Sequence, residues 1–356
     1  MHQIADRVRA LQTRFGLRMP IVLAPMAGAS EPSLSIAVEN AGSMGSCGAL
    51  LMRPPEILSW ANEVRAAGRG AFQINLWVPD PPPVRDATHE ERMREFLATW
   101  GPAVPADAGD ATPPDFSEQC EALLEARPLA ASSVMGLFKP QFVEKLRRHG
   151  IAWFAHVTTV AEARAAEAAG ADVIVAQGAE AGGHRGSFDA SQAERQLVGL
   201  FSLVPAVVDA VDLPVIAAGG IADGRGIAAA LMLGASAVAI GTGYLRCPEA
   251  KTPAAWADAL TNTAPENTVL TRAFSGRAGR SIATTYIEAI SKEHGPIIAP
   301  YPVQRGLTAP MRRLALQEGD VQRMQAWAGQ SAGLAQAMPA AALTRKLWND
   351  AQALLS

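Results

Sequence analysis

The chain has 356 residues, 49% apolar and 18% charged, enough to bury a substantial core as one large domain or two smaller ones. A net charge of −3 leaves no basic surplus for a polyanion, which argues against nucleic acid as a partner. No stretch reaches the ~18 uninterrupted apolar residues of a membrane helix, and three widely spaced cysteines, Cys47, Cys120 and Cys247, fit neither a disulfide framework nor a zinc site. A soluble protein of the reducing cytoplasm, with no metal and no membrane partner, is the expectation.

The first residues, Met1–Ala10, carry apolar positions at helical spacing among charges, unlike a signal peptide. Eight short β-rich runs then follow: Ile21–Ala24, Met44–Cys47, Phe72–Leu76, Ala131–Val134, Trp153–His156, Val173–Ala176, Val215–Ala218 and Ala237–Ile240. Helix-period segments separate them, among them Pro54–Ala67, Gln141–His149, Val160–Ala169, Leu200–Val211 and Gly226–Leu233. Eight βα units predict an α/β fold of the closed (β/α)8 TIM-barrel class over residues 1–271. An open doubly wound sheet would place a G-x-G-x-x-G turn after its first strand. Here Pro25-Met26-Ala27-Gly28 stands there instead.

Two regions interrupt the alternation. Residues 79–115 are proline-rich around one helix, His89–Trp100, and read as a long insertion after strand three that can cover the barrel mouth. From Arg272 the β-runs cease, and helical patterns at Met311–Gln317, Val321–Ala328 and Ala340–Leu355 predict a C-terminal helical extension over 272–356.

The chemistry is placed at Ala176–Gly186, where a strand ends in Gly178, Glu180, Gly182, Gly183, His184, Arg185 and Gly186. The C-terminal ends of barrel strands are the reactive ends, and these glycines are expected to take positive φ or let the backbone approach a ligand. Strands seven and eight likewise end in Gly219-Gly220 and Gly241-Thr242, two successive turns suited to a phosphate. His184 is the residue best suited to moving a proton near neutrality. Glu180 is expected to orient the loop, and Arg185 to make a surface ion pair or touch substrate. Tyr301 is a candidate substrate gate. Cys247 has no basic neighbour in sequence that would make it a nucleophile. His2, His89, His149 and His294 read as solvated, and Trp60, Trp100 and Trp256 as core.

Several ordered pieces then resemble the nitronate monooxygenase family, formerly 2-nitropropane dioxygenases: Pro20–Gly28, Asn40–Ser46, Gln73-Ile-Asn75, Ser132–Gly136, Ala176–Gly186, Gly219-Gly-Ile221 and Gly241-Thr242. Phe274–Arg277, Tyr301–Gln304 and Trp327–Gln330 look like the branch containing nitronate monooxygenases proper. The resemblance implies bound FMN. Its phosphate would lie in the loops of Gly183, Gly219, Gly220, Gly241 and Thr242, with Ala181 and Gly182 also binding the cofactor, its ring beside Pro25, Met26 and Ala27, and Asn75 and Gln177 hydrogen-bonding the ring or ribityl chain. His156 stands where some relatives carry a lysine near the flavin. Ser132 and Tyr301 would face substrate. The implied reaction is oxidation of alkyl nitronates, and of nitroalkanes, by dioxygen to carbonyl compounds and nitrite or nitrate, with His184 as base or nitronate-binding group. Rival readings are an NAD(P)H-dependent flavin reductase of quinones or enoyl thioesters, a flavin-free phosphate-binding barrel, and a flavin carrier. Assembly is left open, a homodimer being the option considered.

Overall fold

The computed structural model describes residues 2–293 and 295–356. Eight parallel strands form the sheet: β1 (Ile21–Leu23), β2 (Gly45–Gly48), β3 (Phe72–Trp77), β4 (Ala130–Val134), β5 (Ala152–Val157), β6 (Val173–Gln177), β7 (Val215–Ala218) and β8 (Ala237–Ile240). Each pairs with its sequence neighbour and β1 also pairs with β8. A parallel bridge between Val22 and Met44 joins β1 to β2, so the sheet closes on itself. Helices surround it, completing a (β/α)8 barrel.

Side-chain alternation explains which residues reach the centre. On β3, Phe72, Ile74 and Leu76 join the layer under the helices, with Ile57, Trp60 and Leu123. That leaves Gln73, Asn75 and Trp77 on the inner face. The lumen itself is filled by Val22, Ala130, Phe154, Val173, Val175, Ile216 and Ala239, with Leu11 and Phe15 of the helix His2–Phe15 in the same cluster. By the same alternation Ser132, His156 and Gln177 sit inward, above this packed floor.

The insertion carries the helix Ala87–Ala98, and its Met93 and Leu97 share a hydrophobic cluster with Ala273, Phe274, Tyr286, Leu307 and Met311. Insertion and C-terminal segment therefore fold against each other. The last helix, Ala340–Leu355, returns to the barrel and packs on the helices Gly224–Met232 and Pro32–Ala41.

Two expectations for the tail are corrected. A β-strand does occur after Arg272: Gly279–Ile282 pairs antiparallel with Thr268–Thr271 and with Gly183–His184. Its Gly-Arg-Ser-Ile composition is too polar for an apolar-run criterion. Val321–Ala328 is not helical but runs beside this strand, with Ser281 paired to Trp327 and Ile282 N–H donating to Ala326 O at 3.0 Å. Strand pairing there overrides the helical spacing of Val321, Met324 and Ala328.

One buried acid lies far from the strand C-termini. Glu39 Oε2 accepts from the N–H groups of Arg69 and Ala71, at 3.0 and 3.1 Å, while Oε1 has no partner among the described residues. Burial pushes this carboxyl up to about 7. Raised above its unfolded value, the group contributes stability that is fully present below pH ~4.5 and lost as pH rises through ~7. Glu39→Gln, neutral at every pH, is expected to raise the stability at pH 8 by on the order of 3 kcal/mol and to change it little at pH 4. Equal effects at both pH values in thermal unfolding would remove ionisation as the cause.

Candidate active site

At the C-terminal ends of β6, β7 and β8, three turns meet. A Cβ on Gly182 would stand 2.4 Å from Gly329 N and 2.9 Å from Thr242 Oγ1, and one on Gly219, whose φ is +111°, would stand 2.9 Å from Ala181 N. Thr242 Oγ1 accepts from Gly329 N–H at 3.0 Å. Gly241 lies against Ala24 and Met26, so the turn after β1 joins the group. Pro25 and Met26 are half-buried there and Ala27 is exposed. Of the four glycines around His184, only Gly183 takes positive φ. The others answer to crowding: a Cβ on Gly178 would meet Glu180 Oε2 at 2.3 Å, and one on Gly186 would meet Val134 Cγ2 at 3.0 Å.

The charged neighbours of His184 are struts. Glu180 accepts from Leu200 N–H at 2.8 Å, capping the helix Leu200–Val208, as expected of a residue that orients the loop. Arg185 makes no surface ion pair among the described residues. It is buried and donates to the carbonyls of Gln177, Thr158 and Gln196, because a loop crossing the barrel top leaves carbonyls that water cannot reach. Gln177 spends both ends of its amide on the same loop, donating to His184 O at 3.0 Å and accepting from Gly186 N–H at 2.7 Å.

Inside the mouth, Asn75 Nδ2 donates to Ser132 Oγ at 3.0 Å, so Ser132, fully buried, is Asn75's partner. His156 is buried with Nε2 unpartnered among the described residues, and burial pushes it down to about 4. It is therefore neutral.

His184 stands in an aromatic frame that sequence reasoning missed. Its ring lies 4.8 Å from Trp77 and 4.9 Å from Trp327, and its Nε2 is 2.8 Å from Ser275 Oγ. Trp77 stacks on Tyr301 with centroids 4.9 Å apart and planes 12° apart. Arg277, buried, lies 5.6 Å over the Trp77 ring, pairs with Asp80 at 3.2 Å and donates to Ser187 O at 2.9 Å. Desolvation by the side chains packed around the half-buried ring, with the nearby Arg277 and Arg305, pushes His184 down to about 3, so the imidazole is neutral. Beyond Tyr301 an open cleft of about 520 Å³ is lined by Arg53, Arg305 and residues 111–114 of the insertion. The signal for Trp77 was available: it lies two residues after Asn75 on an alternating strand.

Comparison with known proteins decides the family. The nitronate monooxygenase family model matches residues 9–350. The chain belongs to the nitronate monooxygenase family. A nitronate monooxygenase of Paraburkholderia phytofirmans is 38% identical over 345 residues, covering 95% of this chain and 94% of the relative. A probable nitronate monooxygenase of Staphylococcus aureus is 34% identical over 343 residues, 96% of each. Among solved structures, the nitroalkane oxidase of Streptomyces ansochromogenes aligns with a TM-score of 0.86 and 36% identity, covering 96% of this chain and 98% of that one. FabK from Thermotoga maritima aligns at 0.76 and 26%, covering 97% and 96%. As a family member the chain is an oxidoreductase enzyme, and the family is generally flavin-dependent.

The remaining candidates fall away from the mouth. Cys247 is buried and its thiol is pushed up to about 12, so it stays protonated and is no nucleophile. His2 and His149 are exposed, and His89 is half-buried beside Asp86 at 3.3 Å; His294 lies outside the described residues. Trp60 is core, whereas Trp100 and Trp256 are only half-buried. Among the described residues no group of three or more His, Cys, Asp or Glu side chains can hold a metal ion, and no helix is long and apolar enough to cross a membrane.

Proposed function

We propose that this chain oxidises alkyl nitronates with dioxygen on a bound FMN, yielding a carbonyl compound and nitrite or nitrate. The observation that carries the reading is the neutral His184 held between Trp77 and Trp327, flanked by Arg277 and Arg305, beside the glycine turns. A flavin phosphate suits those turns, where Gly182 and Gly219 have no room for a Cβ and leave backbone N–H groups at strand ends. The candidate holders are Ala181, Gly182, Gly183, Gly219, Gly220, Gly241 and Thr242 for the phosphate, with Pro25–Ala27, Asn75, His156 and Gln177 toward the ring. When bound, FMN supplies a two-electron acceptor that dioxygen can reoxidise.

The protein's own contribution is binding and orientation. Two guanidinium groups attract an anion, the aromatic walls hold its alkyl part and exclude water, and His184 meets its polar head. An imidazole this weakly basic is a poor base for a neutral nitroalkane, whose carbon-bound proton it would have to take. The site therefore favours substrates that arrive already ionised. Three free thiols, all buried, suit a cytoplasmic location.

Oxygen uptake by purified protein with a panel of preformed nitronates tests the reading. Uptake is expected without any nicotinamide, and its kcat/KM is expected to show no inflection near pH ~6.5, the ordinary histidine value. Uptake that requires NADH, or anaerobic bleaching of the flavin by NADH with no response to nitronates, would establish the reductase instead.

A further inference from the structure

The polar groups around His184 are unbalanced. Trp77 Nε1, Tyr301 Oη and Arg277 Nη1 are buried atoms with no hydrogen-bond partner among the described residues. The Arg305 guanidinium lines the open cleft beyond Tyr301. The acceptors nearby are already engaged. Asp80 faces Arg277, Gln177 Oε1 takes Gly186 N–H, and Ser275 Oγ lies against His184 Nε2. Leaving one buried donor unmade costs about 1–3 kcal/mol, so a cluster of them around one imidazole marks a place built for an acceptor-rich guest.

Trp77 is the best placed of these donors. It is only 7% exposed, it ends β3 on the inner face two positions after Asn75, and its ring touches His184 at its edge and Tyr301 on its face. Tyr301 in turn lines the open cleft, so the Trp77–Tyr301 stack stands between that cleft and His184. A tryptophan needed only for packing has no use for an unsatisfied N–H that phenylalanine would avoid.

We propose that Trp77 is a specificity-determining residue that binds the substrate head: its indole N–H donates to an oxygen of a planar O–N–O anion while its ring walls the alkyl side. This rests on the nitronate reading for the identity of the substrate. The contact itself concerns any small anion with that planar head, and nitrate is an unreactive example.

The test compares flavin-loaded wild type with Trp77→Phe, which keeps the stacked ring and removes the donor. Nitrate binding is measured by titration calorimetry, and KM and kcat with ethyl nitronate by oxygen uptake. One hydrogen bond to a charged acceptor predicts a nitrate Kd about tenfold weaker in Trp77→Phe, a KM about tenfold higher and a kcat within about twofold. Flavin content and thermal midpoint check that the variant is folded, and Trp77→Met, smaller and equally without a donor, replaces it if it is not. Absence of nitrate binding by wild type, or Kd and KM values unchanged by the substitution, overturns the proposal. Wild type that binds nitrate in a Trp77-dependent way yet never consumes nitronates overturns the proposed reaction and leaves the anion contact standing.

Discussion

Replacing His184 with asparagine is expected to cut the turnover of neutral nitroalkanes, already slow with so weakly basic an imidazole, by roughly a hundredfold, the low end of what a positioned proton acceptor contributes. Preformed nitronates, which have no carbon-bound proton to lose, are expected to lose only about tenfold, the worth of one hydrogen bond to a charged group. Flavin should stay bound, because His184 projects toward Trp77, Trp327 and Ser275 and no hydrogen bond joins its ring to the glycine turns. The comparison separates two roles that one imidazole can play. Equal losses on both substrate classes would make His184 a binding group alone, and unchanged nitroalkane turnover would remove it from the mechanism.

The second large effect is expected at Gly182. A methyl group there meets Gly329 N at 2.4 Å and the Ala328 carbonyl carbon at 2.6 Å, and both are backbone atoms that cannot rotate aside. The segment they belong to is tied down, with Gly329 N–H on Thr242 Oγ1 and Gln330 N–H on Glu180 O at 2.9 Å. Gly182→Ala must therefore push the 181–183 turn away from the turn after β8, at a cost of roughly 1–3 kcal/mol in stability. Displacement on the ångström scale is expected to weaken flavin binding by on the order of a hundredfold. The protein should purify nearly colourless and with a lower thermal midpoint. Full flavin occupancy in Gly182→Ala would dissociate these turns from the cofactor.

Much of the barrel is legible before any coordinates, for a simple reason. Parallel strands buried on both faces read as short, largely apolar β-rich runs, and the eight runs match the eight strands with boundaries off by about one residue, the polar exceptions such as Gln73, Asn75, Ser132 and His156 lying on the inner face. The glycine turns after β6, β7 and β8 are legible because close backbone approach admits nothing larger. Trp77 escaped because the strand was ended one residue early, at Leu76, although alternation past Asn75 points to it. Arg277, Ser275 and Trp327 lie in pieces that matched the family without any indication of what they touch. Arg185 misled because a charge beside a histidine in a glycine loop looks reactive, and only the crossing carbonyls of Gln177, Thr158 and Gln196 reveal it as a strut.

The sequence by itself determined the barrel, the reactive end of its strands and His184 as the residue to watch, because apolar periodicity and glycine placement are local signals. Tertiary structure alone decided what His184 is. The strand Gly279–Ile282 holds Gly183–His184 in register from about 95 residues away, placing Ser275, Arg277 and Trp327 around the ring. A histidine's charge state follows from the solvent and charges around it, and those are set by packing between distant segments. The same sequence signal would fit a charged imidazole in water; desolvation beside two arginines makes it a neutral one.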